Sequence, residues 1–347
     1  MKSKVPVLVL MALLVSVVGN QTAAQQKSDD SINLQSTLVS VPVLVSDRAG
    51  RYFPGLTIQD FKLFEDRTER KIELFDNVEE PINVALLLDT SKSTAEVLDT
   101  IRKDATNFLK ELRPQDRAMV VSFDYAVHLM SPLTSDRKAL ERAIKKCEIG
   151  EYVGTTLRDA VADVIGRHFK RIDGRKAIVL LTDGKDVGSE ISEEQVLDQA
   201  TESGAMIYSV FFETEFGRGL RNGGMSPRPG WGGWRRRYLV DPDPAQAPNG
   251  GRPQRGAVRN ERAQKFLTDL SEASAGRFFR SDVVDLNKTF NQIAEELRHQ
   301  YRLGFYPDFS KADGQRHSLR VEVTKADAVV RARRSYQAAS AASKPAL

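Results

Sequence analysis

The sequence predicts an α/β fold: a doubly wound, mostly parallel sheet with a small β-sandwich formed beside it by the N- and C-terminal segments of the 347-residue chain. Three observations carry that prediction. Between residues 83 and 300, short apolar runs alternate with stretches of helical period; on either side of this region the apolar period is two; and the runs end in short polar motifs. With 41% hydrophobic residues the chain can bury a full core and has room for two domains.

The runs are VALLLD (84–89), AMVVSFD (118–124), AIVLLTD (177–183) and MIYSVFF (206–212). Their apolarity is continuous, as strands covered on both faces require. Between them Val97, Ile101, Ala105, Phe108 and Leu112 recur at helical spacing, and helix patterns follow at Leu140 to Ile144 and Leu157 to Ile165. Strand and helix in alternation give right-handed crossovers and a parallel sheet. A helix pattern at Phe266 to Leu270, the run GRFF (276–279) and a helix pattern at Leu286 to Leu297 complete the region.

In the flanks, Val39, Val41, Val43 and Val45 alternate with other side chains, and Asp47 to Gly50 supplies a turn. Phe61 and Leu63 are set against Ile72 and Leu74 across the charged EDRTER stretch, which reads as a hairpin. Period two returns after Tyr301 in YRLGFY, in Leu319, Val321 and Val323, and in Val329 and Val330. One or two hairpins are only marginally stable alone. Segments 35–80 and 301–337 are therefore expected to pair into one sandwich, with the α/β unit (81–300) inserted between them.

At the start, Lys2 and Lys4 precede an apolar run from Val5 to Val18 and a stretch ending in Thr22-Ala23-Ala24. This is the layout of a secretory signal over residues 1–24, and the run is too short to span a bilayer comfortably. Export to the periplasm or beyond follows, with no stable membrane span after cleavage near Ala24. The last residues, 338–347, read as a disordered tail. Between Phe216 and Arg262 stand ten arginines and three acids, with many glycines and prolines and the string WGGWRRR, a composition expected of a long mobile loop. The formal charge of +4 falls to +2 without Lys2 and Lys4, and argues for neither nucleic acid nor membrane as partner. Cys147, the one cysteine, excludes an intramolecular disulfide and reads as a small buried hydrophobe at a helix end.

In an open α/β sheet, ligands bind beyond the carboxyl ends of the strands. Three polar motifs fall there: Asp89-Thr90-Ser91-Lys92-Ser93, Gly154-Thr155-Thr156 and Thr182-Asp183-Gly184. Asp89, Ser91 and Ser93 are spaced two apart on a turn and can converge on one point while Thr90 and Lys92 face away; Thr155 and Asp183 approach from neighbouring loops. All five are oxygen donors without His or Cys, which suits a hard divalent cation and argues against zinc or copper. Few charged ligands and retained waters favour Mg²⁺, with Mn²⁺ or Ca²⁺ as alternatives. Each motif also has a plainer reading. Ser93-Thr94-Ala95-Glu96 is a capping box, Thr155 or Thr156 can cap the following helix, and Asp183-Gly184 can be a simple turn.

Taken together, LLLDTSKST, VGTTLRDAV and IVLLTDG resemble the metal-ion-dependent adhesion site of von Willebrand factor type A domains, over about residues 83 to 300. The flanking segments resemble those of a branch of secreted bacterial proteins related to that family. The resemblance implies Ser91, Ser93 and Thr155 as direct ligands, Asp89 and Asp183 as direct or water-mediated ones, and a sixth position completed by Asp or Glu of a partner protein. Two departures stand out: Val153 where the family often has Gly, and Lys92 where Gly is common within the serine motif.

An enzyme is not expected. The four histidines, at 128, 168, 299 and 317, show no diagnostic pairing with Ser or Cys, and a phosphotransferase-like use of Asp89 would need an acid where Ser91 stands. The competing reading is a binding surface for an anionic polymer, built from Trp231, Trp234 and Arg235 to Arg237. Export argues against nucleic acid as its target.

Overall fold

The computed structural model describes residues 38–214, 255–281, 285–307 and 314–338. The signal, the tail from 339 onward and residues 215–254 of the arginine-rich stretch lie outside them.

The N-terminal strands are β1 (Val39–Ser46), β2 (Phe61–Glu65), β3 (Thr68–Arg70) and β4 (Leu74–Asp76). The chain then runs through β5 (Ile82–Asp89), α1 (Leu98–Glu111), β6 (Arg117–Phe123), β7 (Val127–Thr134), α2 (Arg137–Lys145) and α3 (Leu157–Asp163). Next come β8 (Arg175–Thr182), α4 (Glu193–Glu202), β9 (Ala205–Phe212), α5 (Arg255–Ala273), β10 (Arg277–Ser281) and α6 (Leu286–Arg298). It closes with β11 (Tyr301–Phe305), β12 (Arg316–Val323), β13 (Val329–Ala332) and β14 (Ser335–Gln337).

The central sheet has the order β10-β9-β8-β5-β6-β7, parallel throughout except for β7, which runs antiparallel to β6 at the edge. The continuous apolar runs divide between its two faces, because successive strand residues point to opposite sides. Leu86 and Leu88 pack with Val179, Leu181 and Tyr208 under α1, α2 and α6, while Ala85 and Leu87 pack with Ile178, Leu180 and Ile207 under α3, α4 and α5. Both faces are buried, so no polar alternation is left to read.

The remaining strands form two four-stranded sheets, β13-β1-β11-β4 and β14-β12-β2-β3, that share one core. Val41, Val43 and Val45 of β1 meet Leu63, Tyr301, Leu303 and Val321 there. N- and C-terminal segments alternate within both sheets, for β1 pairs with β11 and β13, and β2 with β12. The hairpin differs from expectation. β2 turns through Asp66 and Arg67, both at positive φ, and pairs with β3 in the register Leu63↔Arg70, while Leu74 crosses to the other sheet and pairs with Gly304. EDRTER is thus partly strand: Glu65, at the end of β2, is buried, Asp66 to Glu69 are exposed and Arg70 is half-buried.

Residues 255–262, read from sequence as the end of the mobile loop, are instead the first turns of α5. Within GAVRNERAQK, Ala, Glu, Gln and Lys are good helix formers, and without glycine or proline after Gly256 the charge density alone does not break a helix.

The chain crosses between sandwich and α/β unit twice, just before β5 and just before β11. Two arginines hold both crossings. Buried Arg175, at the start of β8, donates to the carbonyls of Glu80, Leu297 and Gln300; Arg113 donates to those of Val78 (2.6 Å) and Arg298 (3.3 Å). Among the described residues no helix is long and apolar enough to cross a membrane.

Candidate metal centre

β5 ends at Asp89 on the carboxyl edge of the sheet, and the turn that follows is built by its own short side chains. Asp89 Oδ1 accepts from the Ser91 amide (3.0 Å), and the Thr94 hydroxyl donates to the carbonyls of Asp89 (3.0 Å) and Ser91 (2.8 Å). These bonds wind Lys92–Thr94 into a single 3₁₀ turn, and α1 begins only at Leu98. The capping box expected at Ser93 therefore does not form. The Ser93 hydroxyl stands 3.2 Å from that of Ser91 instead, so two hydroxyl oxygens of the motif do converge.

The end of β6 holds the neighbouring loops. Thr90 donates through its amide (2.9 Å) and hydroxyl (3.2 Å) to the Phe123 carbonyl, and Thr156 does the same to the next carbonyl, Asp124, at 2.7 and 3.1 Å. The Thr156 hydroxyl is thereby spent on Asp124 and does not cap α3. Thr155 is held by its backbone, which exchanges hydrogen bonds with Val187 (3.3 and 2.9 Å), while its hydroxyl makes no hydrogen bond among the described residues.

From β8 comes the third motif. The Thr182 hydroxyl donates to Asp89 Oδ2 (2.7 Å) and accepts from the Gly184 amide (2.9 Å), joining the first motif to the third. Asp183 Oδ2 receives the Lys185 ammonium at 2.5 Å, and the Thr214 hydroxyl lies at 3.4 Å. Gly184 is required twice over: its φ is +75°, and a Cβ there would stand 2.8 Å from that of Ala263.

Asp89 and Asp183 are both buried. Burial, and after it the like charge of Asp183, push the Asp89 carboxyl up to about 7 against the pull of hydrogen bonds from Ser91 and Thr182. A buried carboxylate without a counter-charge costs several kcal/mol. The pair calls for positive charge, which Lys185 supplies on the Asp183 side. The donors gathered at this edge are carboxylate and hydroxyl oxygens, and they fit a hard divalent cation better than a thiophilic one.

Sequence reasoning missed three contributors. Thr182 lies within a quoted motif, but its bond to Asp89 depends on β8 and β5 being neighbours. Lys185 is two residues from Asp183, a spacing that could have flagged it. Asp124 anchors α3 through its carbonyl, and its carboxylate is held by the Ala126 amide (3.0 Å) and His128 Nε2 (3.3 Å). The other histidines are likewise engaged by acids: His168 by Asp163, His299 by Glu295 and His317 by Asp66. Cys147 is buried, and burial pushes its thiol up to about 11.

Residues 83–229 match the family model of the von Willebrand factor type A domain, a match that covers neither sandwich segment. No curated protein matches the chain. Among solved structures it is similar to the conserved hypothetical protein BatB from Bacteroides thetaiotaomicron, at 20% identity over 62% of this chain and 97% of that one, with a TM-score of 0.43. It is similar also to the von Willebrand factor domain of the type V pili tip protein Mfa5 from Porphyromonas gingivalis, at 12% identity over 62% and 94%, with a TM-score of 0.43. A third is proximal thread matrix protein 1 of the mussel byssus, in a form with a zinc-occupied MIDAS motif, at 14% identity over 65% and 47%, with a TM-score of 0.45.

Proposed function

We propose that this chain, whose residues 83–229 match the model of the von Willebrand factor type A domain, is a non-catalytic binding protein that takes a partner's carboxylate through a divalent cation, Mg²⁺ first among the candidates, held at the carboxyl edge of the sheet. Ser91, Ser93 and Thr155 would hold the cation through their hydroxyls, with Asp89 and Asp183 behind them, directly or through water. A cation bound mainly by neutral hydroxyls keeps most of its charge for an external Asp or Glu. The secretory layout read in residues 1–24 supports an activity outside the cytoplasm.

The observation that carries the reading is the buried carboxylate pair, Asp89 and Asp183, beside two hydroxyls 3.2 Å apart. A merely structural turn has little use for a second buried carboxyl in the field of Asp183, whose own charge Lys185 already answers. Lys185 fits the same reading, since its ammonium already balances Asp183 and must share that carboxylate with the cation. Replacing Lys185 by Met should therefore tighten Mg²⁺ or Mn²⁺ binding in calorimetry by about tenfold, or 1.4 kcal/mol. An unchanged or weaker Kd would mean that Lys185 supports the site instead of competing for it.

The function itself is tested by capture from an envelope extract with the chain as bait. A protein retained in Mg²⁺, released by EDTA and not retained by Asp89→Ala is the expected result. Capture indifferent to EDTA and to Asp89 would end the metal reading.

A further inference from the structure

Of the seven large apolar side chains exposed among the described residues, four stand around one point of the candidate metal centre: Tyr125 (48% exposed), Tyr152 (60%), Val153 (86%) and Val187 (61%). Single exposed hydrophobes are ordinary, whereas a contiguous group marks an interaction surface. Contiguity here is direct. The rings of Tyr125 and Tyr152 meet edge to face with centroids 4.8 Å apart. Gly154 lies between the others, for a Cβ there would stand 3.0 Å from that of Tyr125 and 3.4 Å from the Val187 carbonyl. Val187 is bonded through its backbone to Thr155 itself.

The patch is also anchored. Val187 is fixed to Thr155 on one side, Tyr125 stands two residues past the end of β6, and the Gly150 amide that begins the Tyr152 loop donates to the Thr90 carbonyl (3.0 Å) within the aspartate-serine turn. Rigid aromatic side chains lose little freedom on binding and are enriched among residues that dominate interfaces. The same loop carries Glu148 and Glu151, both exposed. Lys145 and Lys146 precede Glu148 and are exposed too, so the acids act locally: Glu151, beside Tyr152, disfavours a second acid set against the rings, while the positive charge drawn to Asp89 and Asp183 attracts one carboxylate.

We propose that Tyr125, Tyr152, Val153 and Val187 form an apolar collar that selects, from proteins able to offer a carboxylate, those presenting a single Asp or Glu between aliphatic or aromatic side chains on an exposed loop. The proposal rests on the metal-dependent reading given above. The carboxylate supplies the attraction to the cation, and its apolar neighbours cover the collar. Polyacidic segments are rejected.

A library of constrained random loops displayed on phage, selected on the immobilised full chain in Mg²⁺ and eluted with EDTA, tests this. Enriched loops should carry one acid flanked by apolar residues. Synthetic peptides made from them should bind Tyr152→Ser and Val153→Ser chains about ten- to thirtyfold more weakly, with Mg²⁺ affinity in calorimetry unchanged. Enrichment of polyacidic loops, no enrichment, or peptide affinity unaltered in the collar variants overturns the collar and leaves the metal site standing. Loops that resist EDTA elution and bind Asp89→Ala equally well overturn the metal reading, and the collar proposal with it.

Discussion

Asp89→Asn should raise the melting temperature of the chain in EDTA and abolish the further rise that millimolar Mg²⁺ gives the native protein. The two effects have one cause. Asp89 is fully buried and held up to about 7, first by burial and then by Asp183, so its charge opposes folding when no cation is bound. Asparagine keeps the acceptor for the Ser91 amide, and the Thr182 hydroxyl has a second lone pair to receive the new amide N–H, so the turn survives while the charge goes. A folded-state value above the ordinary one of 3.8 means that the stabilising contribution is complete below about 4 and is lost as pH climbs toward 7. The advantage of the asparagine variant in EDTA therefore grows between about pH 4 and 7 and is level above that, reaching at most about 4 kcal/mol. For the native chain, Mg²⁺ at a hundred times its Kd adds about 2.7 kcal/mol. Differential scanning calorimetry of both proteins, with Mg²⁺ and with EDTA, reads all four states. A variant that melts lower than native in EDTA, or that keeps the Mg²⁺ rise, contradicts this account of Asp89.

The second large effect lies at the other end of the sheet. Arg175→Ala should cost about 3–5 kcal/mol, a fall in melting temperature of roughly 10 °C. Its guanidinium is buried deeply enough to be held down to about 10, and it serves the carbonyls of Glu80, Leu297 and Gln300 at once. Alanine leaves those acceptors without their donor and opens a cavity among them. Relief of the arginine's own desolvation offsets part of that cost, the more so because its Nε has no hydrogen-bond partner among the described residues. Lysine, with one ammonium in place of a planar fork, cannot reach three carbonyls from separate segments and should recover less than half the loss. Thermal and urea melts decide it; an alanine variant within 1 kcal/mol or so of native would show that the crossings are held by packing alone.

Much of the fold could be read from the sequence because burial on two faces writes itself as unbroken apolarity. The run of β5, INVALLLD, admits little else. β7 was harder: VHLMSPLT mixes polar and apolar residues and contains Pro132, both of which an edge strand tolerates and a central one does not. α4 went unread because EEQVLDQATE buries only Val196, Ala200 and Thr201. In the candidate site the oxygen donors are plain in the chain, but the bonds that organise them are not. Nothing near residue 89 announces that Thr182 will donate to it, or that Phe123 and Asp124 will hold two loops by adjacent carbonyls. Those bonds follow from β5 lying between β6 and β8, a property of strand order and not of any local motif. Ser93 shows the reverse, a good local signal for a cap overruled when the Thr94 hydroxyl tied up the turn.

The paired crossings give the molecule a mechanical character. The candidate metal edge and the crossings lie at opposite ends of β5, eight residues apart, or roughly 25 Å at the rise of an extended strand. Tension that enters at Asp89 and leaves through the sandwich runs lengthwise along the central strands and then divides between two peptide connections. A unit hung from a chain end would load one connection and could be peeled away from its support. Here Arg113 and Arg175 tie the two connections to each other, so that a load on one is shared by the other.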